Sequence, residues 1–214
     1  MVTNTFYVIN GKRLLDIALS LLVCLVMWPV FLVIAILVKL SSPGAIFFRQ
    51  KRTGKNGSVF TLYKFRTMTK NALKLQKKYL HLNEADGPVF KIRNDPRFVN
   101  GLGKFLARSG LDELPNIFNV LKGDLSWVGP RPLPVNEAKK IPTKIKRIRE
   151  SVLPGITSSW VIKGNHELSF SRWMAFDQQD SQNQSLTYDL KILGKTLFLC
   201  LKNTINFLLK KARK

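Results

Sequence analysis

The sequence predicts a mixed α/β domain in which helices dominate, joined to a membrane-inserted helix at its N-terminus. Three observations support this prediction. Residues 17–38 contain no charged side chain, residues 45–68 mix β-branched and aromatic residues around turn glycines, and residues 186–208 repeat leucine at helical spacing. With 214 residues, the chain is long enough for one domain with a sizeable hydrophobic core and an appendage.

Composition restricts the partners that the chain can have. Its formal net charge is +22, which predicts anionic partners such as phosphates, anionic lipid or nucleic acid. A hydrophobic fraction of 45% excludes a disordered basic protein. The two cysteines, Cys24 and Cys200, are far apart and form no disulfide framework or metal-ligand spacing, which is typical of a reducing compartment.

The first element is the uncharged run at residues 17–38, which as a helix would be about 33 Å long and match a hydrocarbon core. The run is too long for a cleaved signal peptide, so we interpret it as a retained anchor. Pro29 lies near its middle and predicts a kink. A kinked helix that spans the bilayer and a helix that bends and returns to the same face both remain open. Basic residues flank the run on both sides, as expected for two cytoplasmic ends: Lys12, Arg13, Lys39, Arg49, Lys51 and Arg52.

The breaker cluster at residues 41–44 should end this helix, so we assign residues 1–40 to the membrane segment and 41–214 to a cytosolic domain. Residues 45–68 then predict a hairpin with its turn at GKNG. Further along the chain we expect a basic helix at 71–81, a loop-rich stretch at 87–103, a helix at 114–121 stopped by Gly123, a rigid Gly/Pro loop at 126–134 and a basic stretch at 139–149.

The last predicted element is a helix that begins near Leu186. Its apolar stripe averages 3.6 residues per turn and consists of Leu190, Leu193, Leu197, Leu201, Ile205 and Leu208. Such a stripe suits either a helix that faces the core or one that lies in a membrane interface with lysines beside it. The N-terminal anchor favours the interfacial interpretation.

Two adjacent acids, Asp112 and Glu113, stand out in this basic chain. A structural interpretation is a capping box formed by Ser109 and Asp112, with Pro115 in the first helical turn. A functional interpretation starts from the surrounding basic residues, which keep a carboxylate ionised. An ionised aspartate beside a bound phosphate can act as a nucleophile, while Glu113 orients it or holds a divalent metal.

The stretch LDELPNIFNVLKGDLSWVGPRP, residues 111–132, resembles the signature of the bacterial sugar transferases, the small monotopic phosphoglycosyl transferases. The resemblance extends from about residue 12 to residue 204. Other segments recur in the order typical of the family: YKFRTM (63–68), NDPRF (94–98), LPGIT (153–157) and DLKILGKT (189–196).

This resemblance implies transfer of a phospho-sugar from a UDP-sugar to polyprenol (undecaprenyl) phosphate, with release of UMP. It implies that Asp112 forms a covalent phospho-sugar intermediate, that Asp112 and Glu113 are the catalytic dyad and hold Mg²⁺, and that the membrane helix is re-entrant. It places the protein on the cytosolic face of a bacterial inner membrane, in contact with membrane lipid and at the first membrane step of glycoconjugate assembly.

The expected substrate-binding residues are mostly cations. Arg131 is held between two prolines and suits forked phosphate contact, while Lys64 and Arg66 alternate on a predicted strand and should share one face. The full set of substrate-binding candidates is Lys64, Arg66, Arg108, Arg131, Arg149 and Asp177, with Asp95 as a further carboxylate; the two histidines, His81 and His166, receive no role.

The sequence departs from the family pattern at two positions and in one segment. Trp28 replaces a common serine before the membrane proline, Ala107 replaces an arginine that precedes the dyad, and WVIKGNH (160–166) is altered and shorter.

Two other functions compete with the transferase. A membrane-tethered nucleic-acid-binding protein would explain the charge but not the acidic pair, so no nucleic-acid partner is expected. An inactive scaffold for glycan assembly would not need the intact dyad. The sequence leaves homo-oligomerisation, the sugar and the pathway open.

Overall fold

Helices form most of the computed structural model, which describes residues 7–164 and 168–212. The helices are α1 (Lys12–Ser41), α2 (Ala72–Leu75), α3 (Asn100–Ser109), α4 (Asn116–Lys122), α5 (Val135–Ala138), α6 (Thr143–Glu150), α7 (Ser159–Lys163), α8 (Phe170–Gln182) and α9 (Leu186–Ala212). The strands are β1 (Phe47–Thr53), β2 (Val59–Phe65), β3 (Ser126–Val128) and β4 (Gly155–Thr157). The predicted helix-dominated α/β class is therefore confirmed.

The strands form two small sheets. Strands β1 and β2 are an antiparallel hairpin whose register runs from Phe47 opposite Phe65 to Thr53 opposite Val59. Its turn contains two residues with positive φ, Asn56 and Gly57, which confirms the predicted GKNG turn. Strands β3 and β4 pair in parallel over only a few residues and bring two distant loops together.

Helix α1 is continuous through Pro29, and both of its ends contact the rest of the protein. Near its start, the Asp16 carboxylate accepts hydrogen bonds from Ser126 Oγ (3.0 Å) and from the Trp127 backbone N–H (2.9 Å). Near its end, Ile34 and Val38 are buried in a cluster with Phe65 and Leu106. The stretch between these contacts carries most of the exposed apolar side chains of the helix. A bend at Pro29 stays a prediction.

Two further hydrophobic clusters support the domain. One joins α5, α7 and α8, where the Trp160 and Trp173 rings stack with centroids 4.3 Å apart. The other lies under the hairpin and contains Phe60, Leu62, Val120 and Leu125. Together they hold α4 and the loop after β3 against the hairpin, which is where the candidate site lies.

Helix α9 exposes the apolar stripe predicted from its sequence. Most of the stripe is more than half exposed, and the Leu197 side chain is 63% exposed. Helices α1 and α9 are each long and apolar enough to cross a membrane, judged by length and composition alone. The exposed stripe excludes the interpretation of α9 as a helix whose leucines all face the core.

The structure rules out the capping-box interpretation of Ser109 and Asp112. Helix α3 continues to Ser109, whose hydroxyl donates to the Phe105 carbonyl at 2.9 Å instead of capping a following helix. Gly110 adopts φ +80° and ends α3, after which Leu111–Glu113 form a single 3₁₀ turn. Because the chain already leaves one helix at Gly110, the acidic pair lies in a connection between two helices and not in the first turn of α4.

Candidate active site

The 3₁₀ turn between α3 and α4 presents Asp112 and Glu113 to a large cleft of about 3010 Å³. Asp112 is only 8% exposed. Gly110 supplies the left-handed conformation that turns the chain at this point, which a residue with a Cβ would adopt at a cost. The connection between α3 and α4 therefore places two adjacent carboxylates in a partly desolvated position.

Two cations contact this pair unequally. Lys64, projecting from β2, donates to Glu113 Oε1 and lies 3.8 Å from Asp112 Oδ2. Arg131 Nη1 lies 3.7 Å from the same Glu113 oxygen. Glu113 thus has two cationic partners, whereas Asp112 has one at a longer distance. The predicted residues Asp112, Glu113, Lys64 and Arg131 are brought together around one point of the cleft.

The unequal contacts separate the acidities of the two carboxyls. Burial raises the pKa of Asp112 to about 6 although Lys64 opposes the shift, and the negative charge of Glu113 adds to it. Burial also acts to raise the pKa of Glu113, but Lys64 and Arg131 outweigh it and hold that pKa well below its usual range. At Asp112 burial outweighs the surrounding positive charges, but the pKa stays below 7, as the expectation of an ionised carboxylate requires. At neutral pH Asp112 remains mostly ionised and is the more basic carboxylate of the two.

Arg131 lies in the Pro-Arg-Pro loop after β3. Contacts with other residues fix the position of this loop. The Arg131 guanidinium lies over the Trp160 ring, 5.4 Å from the centroid. Arg149 Nη2 donates to the Arg131 carbonyl at 2.7 Å, and Arg149 Nε donates to Asp177 Oδ2 at 2.7 Å. Asp177 is 0% exposed, and neither Arg149 nor Asp177 is among the residues that line the cleft. The structure therefore places these two candidates as supports of the loop.

Two residues that sequence reasoning missed also belong to this site. Arg52, at the end of β1, is buried and donates from Nη1 to the Pro132 carbonyl at 2.9 Å, which fixes the other side of the same loop. Lys91 lines the cleft, where desolvation, with the positive charges of Arg131 and Lys64, lowers the pKa of its ammonium group. No sequence pattern singled out Arg52 as a site residue, because it stands in a run of basic residues that is equally typical of the flank of a membrane helix.

The remaining candidates lie further from the dyad or have other partners. Arg66 donates to the backbone carbonyls of Val38 (3.0 Å), Ser42 (2.6 Å) and Pro43 (2.6 Å), so it caps the end of α1. Arg108 is exposed, lines the cleft and donates to Asn94 Oδ1 at 3.1 Å.

Asp95 accepts from Arg97 Nε at 2.8 Å. The altered WVIKGNH segment is described only through Gly164, and His166 lies outside the described residues.

Asp112 and Glu113 suit magnesium binding only together with the phosphates of a substrate. Within residues 7–164 and 168–212, there is no group of three or more His, Cys, Asp or Glu side chains that could hold a metal. Asp112 and Glu113 provide hard carboxylate oxygens on adjacent residues. Magnesium is commonly bound by one or two carboxylates together with substrate phosphates, so these residues fit that mode.

Comparison with known proteins agrees with this geometry. A family model described as bacterial sugar transferase matches residues 7–203. Among similar proteins, "Galactosyl transferase CpsE" of Streptococcus agalactiae is 40% identical over 198 residues, which cover 91% of this chain and 43% of CpsE. "Exopolysaccharide production protein ExoY" of Sinorhizobium fredii is 36% identical, with 87% of this chain and 84% of ExoY covered.

A third relative is the "UDP-glucose:undecaprenyl-phosphate glucose-1-phosphate transferase" of Escherichia coli, 37% identical over 195 residues, with 87% of this chain and 39% of the relative covered. The chain therefore spans less than half the length of CpsE and of the Escherichia coli enzyme, and most of the length of ExoY. The family model covers nearly the whole chain, including the acidic pair. The chain belongs to the bacterial sugar transferase family.

Proposed function

We propose that the protein transfers a sugar 1-phosphate from a UDP-sugar to undecaprenyl phosphate, giving UMP and an undecaprenyl-diphosphate-linked sugar. The observation that carries this proposal is the desolvated Asp112–Glu113 pair beside Lys64 and Arg131 in one cleft. The names of the Escherichia coli relative, which acts on UDP-glucose and undecaprenyl phosphate, and of ExoY, an exopolysaccharide production protein, support the substrates and the pathway class.

The first step uses Asp112 as the nucleophile. One of its carboxylate oxygens bonds to the sugar-bearing phosphorus, the bond from that phosphorus to the bridging oxygen breaks, and UMP leaves with the electron pair. Glu113 contacts Lys64 and Arg131, which keep its carboxylate ionised. The more basic Asp112 is therefore the carboxylate that attacks phosphorus. Lys64 and Arg131 supply the positive charge that lets a diphosphate approach two carboxylates.

In the second step, a phosphate oxygen of the lipid acceptor attacks the same phosphorus. The bond to the Asp112 oxygen breaks, the carboxylate is regenerated and the diphosphate-linked sugar is released. No proton is gained or lost overall when both phosphomonoesters are dianionic. The loop fixed by Arg52 and Arg149 keeps the Arg131 guanidinium in place through both steps.

Magnesium is part of this proposal. Asp112 and Glu113 would hold the ion together with the phosphates of the donor, and the ion would neutralise charge on the diphosphate. Chelation of divalent cations with EDTA should abolish UMP release, and added Mg²⁺ should restore it. Full activity in EDTA would remove the metal from the proposal.

The membrane arrangement that we propose follows from α1. Both ends of this helix contact the same domain, through Asp16 with Trp127 near the start and through Val38 with Phe65 near the end. A helix held at both ends by one domain supports a re-entrant arrangement, with the site at the cytosolic face of the bacterial inner membrane. The exposed stripe of α9 and the lysines beside it support contact of that helix with the membrane interface.

The direct test is a screen for UMP release from a panel of UDP-sugars, with undecaprenyl phosphate as acceptor and the protein in a bilayer nanodisc. We expect release with at least one UDP-sugar and none from the Asp112→Asn variant. Tight, salt-sensitive nucleic-acid binding without turnover would support the competing function instead. A folded protein that binds UDP-sugar and never releases UMP would indicate a scaffold.

A further inference from the structure

The cleft that holds the dyad continues as a groove between α1 and α9. On the α1 side it is lined by Leu15, Leu19, Val23 and Met27. These residues are spaced four apart, so they form one stripe about 18 Å long on the helix. All four are half-buried, whereas most of their neighbours on α1 are exposed. This stripe therefore faces the protein and not the surrounding medium.

The opposite wall of the groove comes from α9. Leu193, Gly194, Leu197 and Cys200 line it, and none of them carries a charge. A methyl group added at Gly110 would lie 3.6 Å from Cys200 Sγ, so this wall reaches the turn that bears Asp112. The groove thus has mainly apolar walls, with Thr196 and Asn203 as polar residues on the α9 side, and ends at the two carboxylates and their cations.

This combination suits an amphiphile with an anionic head and a long apolar body. Lys64 and Arg131 attract the anionic head at the inner end, and burial of apolar chain along the two helices contributes roughly 25 cal/mol per Å². A sugar nucleotide has no group that would use an apolar groove. The acceptor of the proposed reaction must bring its phosphate to Asp112 while its chain remains in an apolar setting.

We propose that the groove between α1 and α9 binds the isoprenoid chain of the acceptor and guides its phosphate to Asp112. This inference rests on the proposed function. It assigns to Leu15, Leu19, Val23 and Met27 on one wall, and to Leu193, Gly194 and Leu197 on the other, the selection of a long-chain acceptor.

Gly194 offers a sharp test. A Cβ added at Gly194 would meet no atom within 4 Å, so a large side chain would enter the groove without disturbing the backbone. Gly194→Trp should lower kcat/KM for undecaprenyl phosphate by roughly tenfold or more, because the tryptophan side chain would occupy the space of the isoprenoid chain while the reacting atoms do not move. With an acceptor of only two isoprene units, kcat/KM should stay at the wild-type value. The stoichiometric burst of UMP in the absence of acceptor should also be unchanged.

Two controls separate groove filling from general effects. Gly101→Trp makes the same substitution at another glycine whose Cβ meets no atom within 4 Å, but one that does not line the cleft, and it should keep wild-type activity with both acceptors. A matched pair on α1 repeats the experiment: Val23→Trp should reproduce the selective loss, whereas Val26→Trp, on the exposed side of the helix, should not.

The outcomes are distinguishable. Wild-type kcat/KM with both acceptors in Gly194→Trp and in Val23→Trp would overturn the inference, as would an equal loss with the long and the short acceptor. A loss that vanishes when bilayer lipid is removed would assign the groove to membrane lipid and would also overturn it. If Gly194→Trp loses the UMP burst, the Val23/Val26 pair decides by the same criteria. Absence of UMP release from wild-type protein with every UDP-sugar would instead contradict the proposed function.

Discussion

At the scale of single residues, the protein gives two neighbouring carboxyls different properties. Lys64 and Arg131 both contact Glu113, while Asp112 is buried with one more distant cation. Glu113 is therefore the more acidic of the two, and Asp112 is the more basic. A nucleophile benefits from that basicity as long as it remains ionised at the working pH.

The pH dependence of the first step follows from this difference. The pKa of Asp112 is raised to about 6, so this carboxylate, the proposed nucleophile, becomes protonated as the pH falls through that value. The single-turnover rate of UMP release should fall below about pH 6 and level off above pH 7. Lys64→Met removes the cation that opposes the shift, so the midpoint should move to higher pH. Lys122→Met, an exposed site outside the cleft, should leave the midpoint in place; a midpoint near 4 in wild-type protein would contradict this account.

The buried pair of Arg149 and Asp177 makes a second prediction at this scale. Removing one member leaves an uncompensated buried charge, so Arg149→Met and Asp177→Asn should each destabilise the fold by about 3 kcal/mol. The double variant should lose less than the sum of the two. Unfolding in detergent measures both quantities, and additive effects would show that the pair does not act as a unit.

Sequence reasoning, together with the family resemblance, predicted part of the site. Asp112, Glu113 and Arg131 stand in one continuous motif, and alternation along a strand pointed to Lys64. The same alternation placed Arg66 beside Lys64, but β2 ends at Phe65, so Arg66 leaves the strand and donates to the carbonyls at the end of α1. The role of Arg52 depends on the distant Pro132 carbonyl, a contact that no local pattern records.

At the scale of elements, the predictions that the structure confirms come from local sequence patterns. The hairpin, the stop of α4 at Gly123 and the start of α9 at Leu186 follow from turn chemistry and periodicity, and all are present. Helix α3 was not expected over its full length, and its end at Gly110 rules out the capping-box interpretation. Helix α8 was missed, since it is stabilised by tertiary packing such as the stacking of Trp173 on Trp160 and not by a strong stripe of its own.

The arrangement of α1 is the prediction that belongs to this scale. In a variant without Cys24 and Cys200, single cysteines placed at Asn10 and at Pro43 flank the helix at exposed positions. A membrane-impermeant maleimide added to intact spheroplasts should label neither position, and both should react after permeabilisation. Labelling of only one of them in intact spheroplasts would show that the helix spans the membrane.

At the scale of the whole molecule, the charge, the two long apolar helices and the cleft all support the proposed reaction. A net charge of +22 suits two anionic substrates and an anionic membrane surface. The cleft joins the cationic centre to an apolar groove between α1 and α9, which in the proposed reaction lets the donor and the lipid acceptor reach Asp112 from different directions. The proposed reaction requires a bond between the Asp112 carboxylate and phosphorus.

The most direct test is to incubate the protein with a UDP-sugar labelled in its sugar-bearing phosphate, without acceptor, and to map the label by mass spectrometry. We predict that labelled sugar phosphate attaches to the Asp112 side chain, is absent from Asp112→Asn, and is discharged by undecaprenyl phosphate. An enzyme that turns over fully while Asp112 never carries the label, or a label that remains in Asp112→Asn, would contradict the central claim.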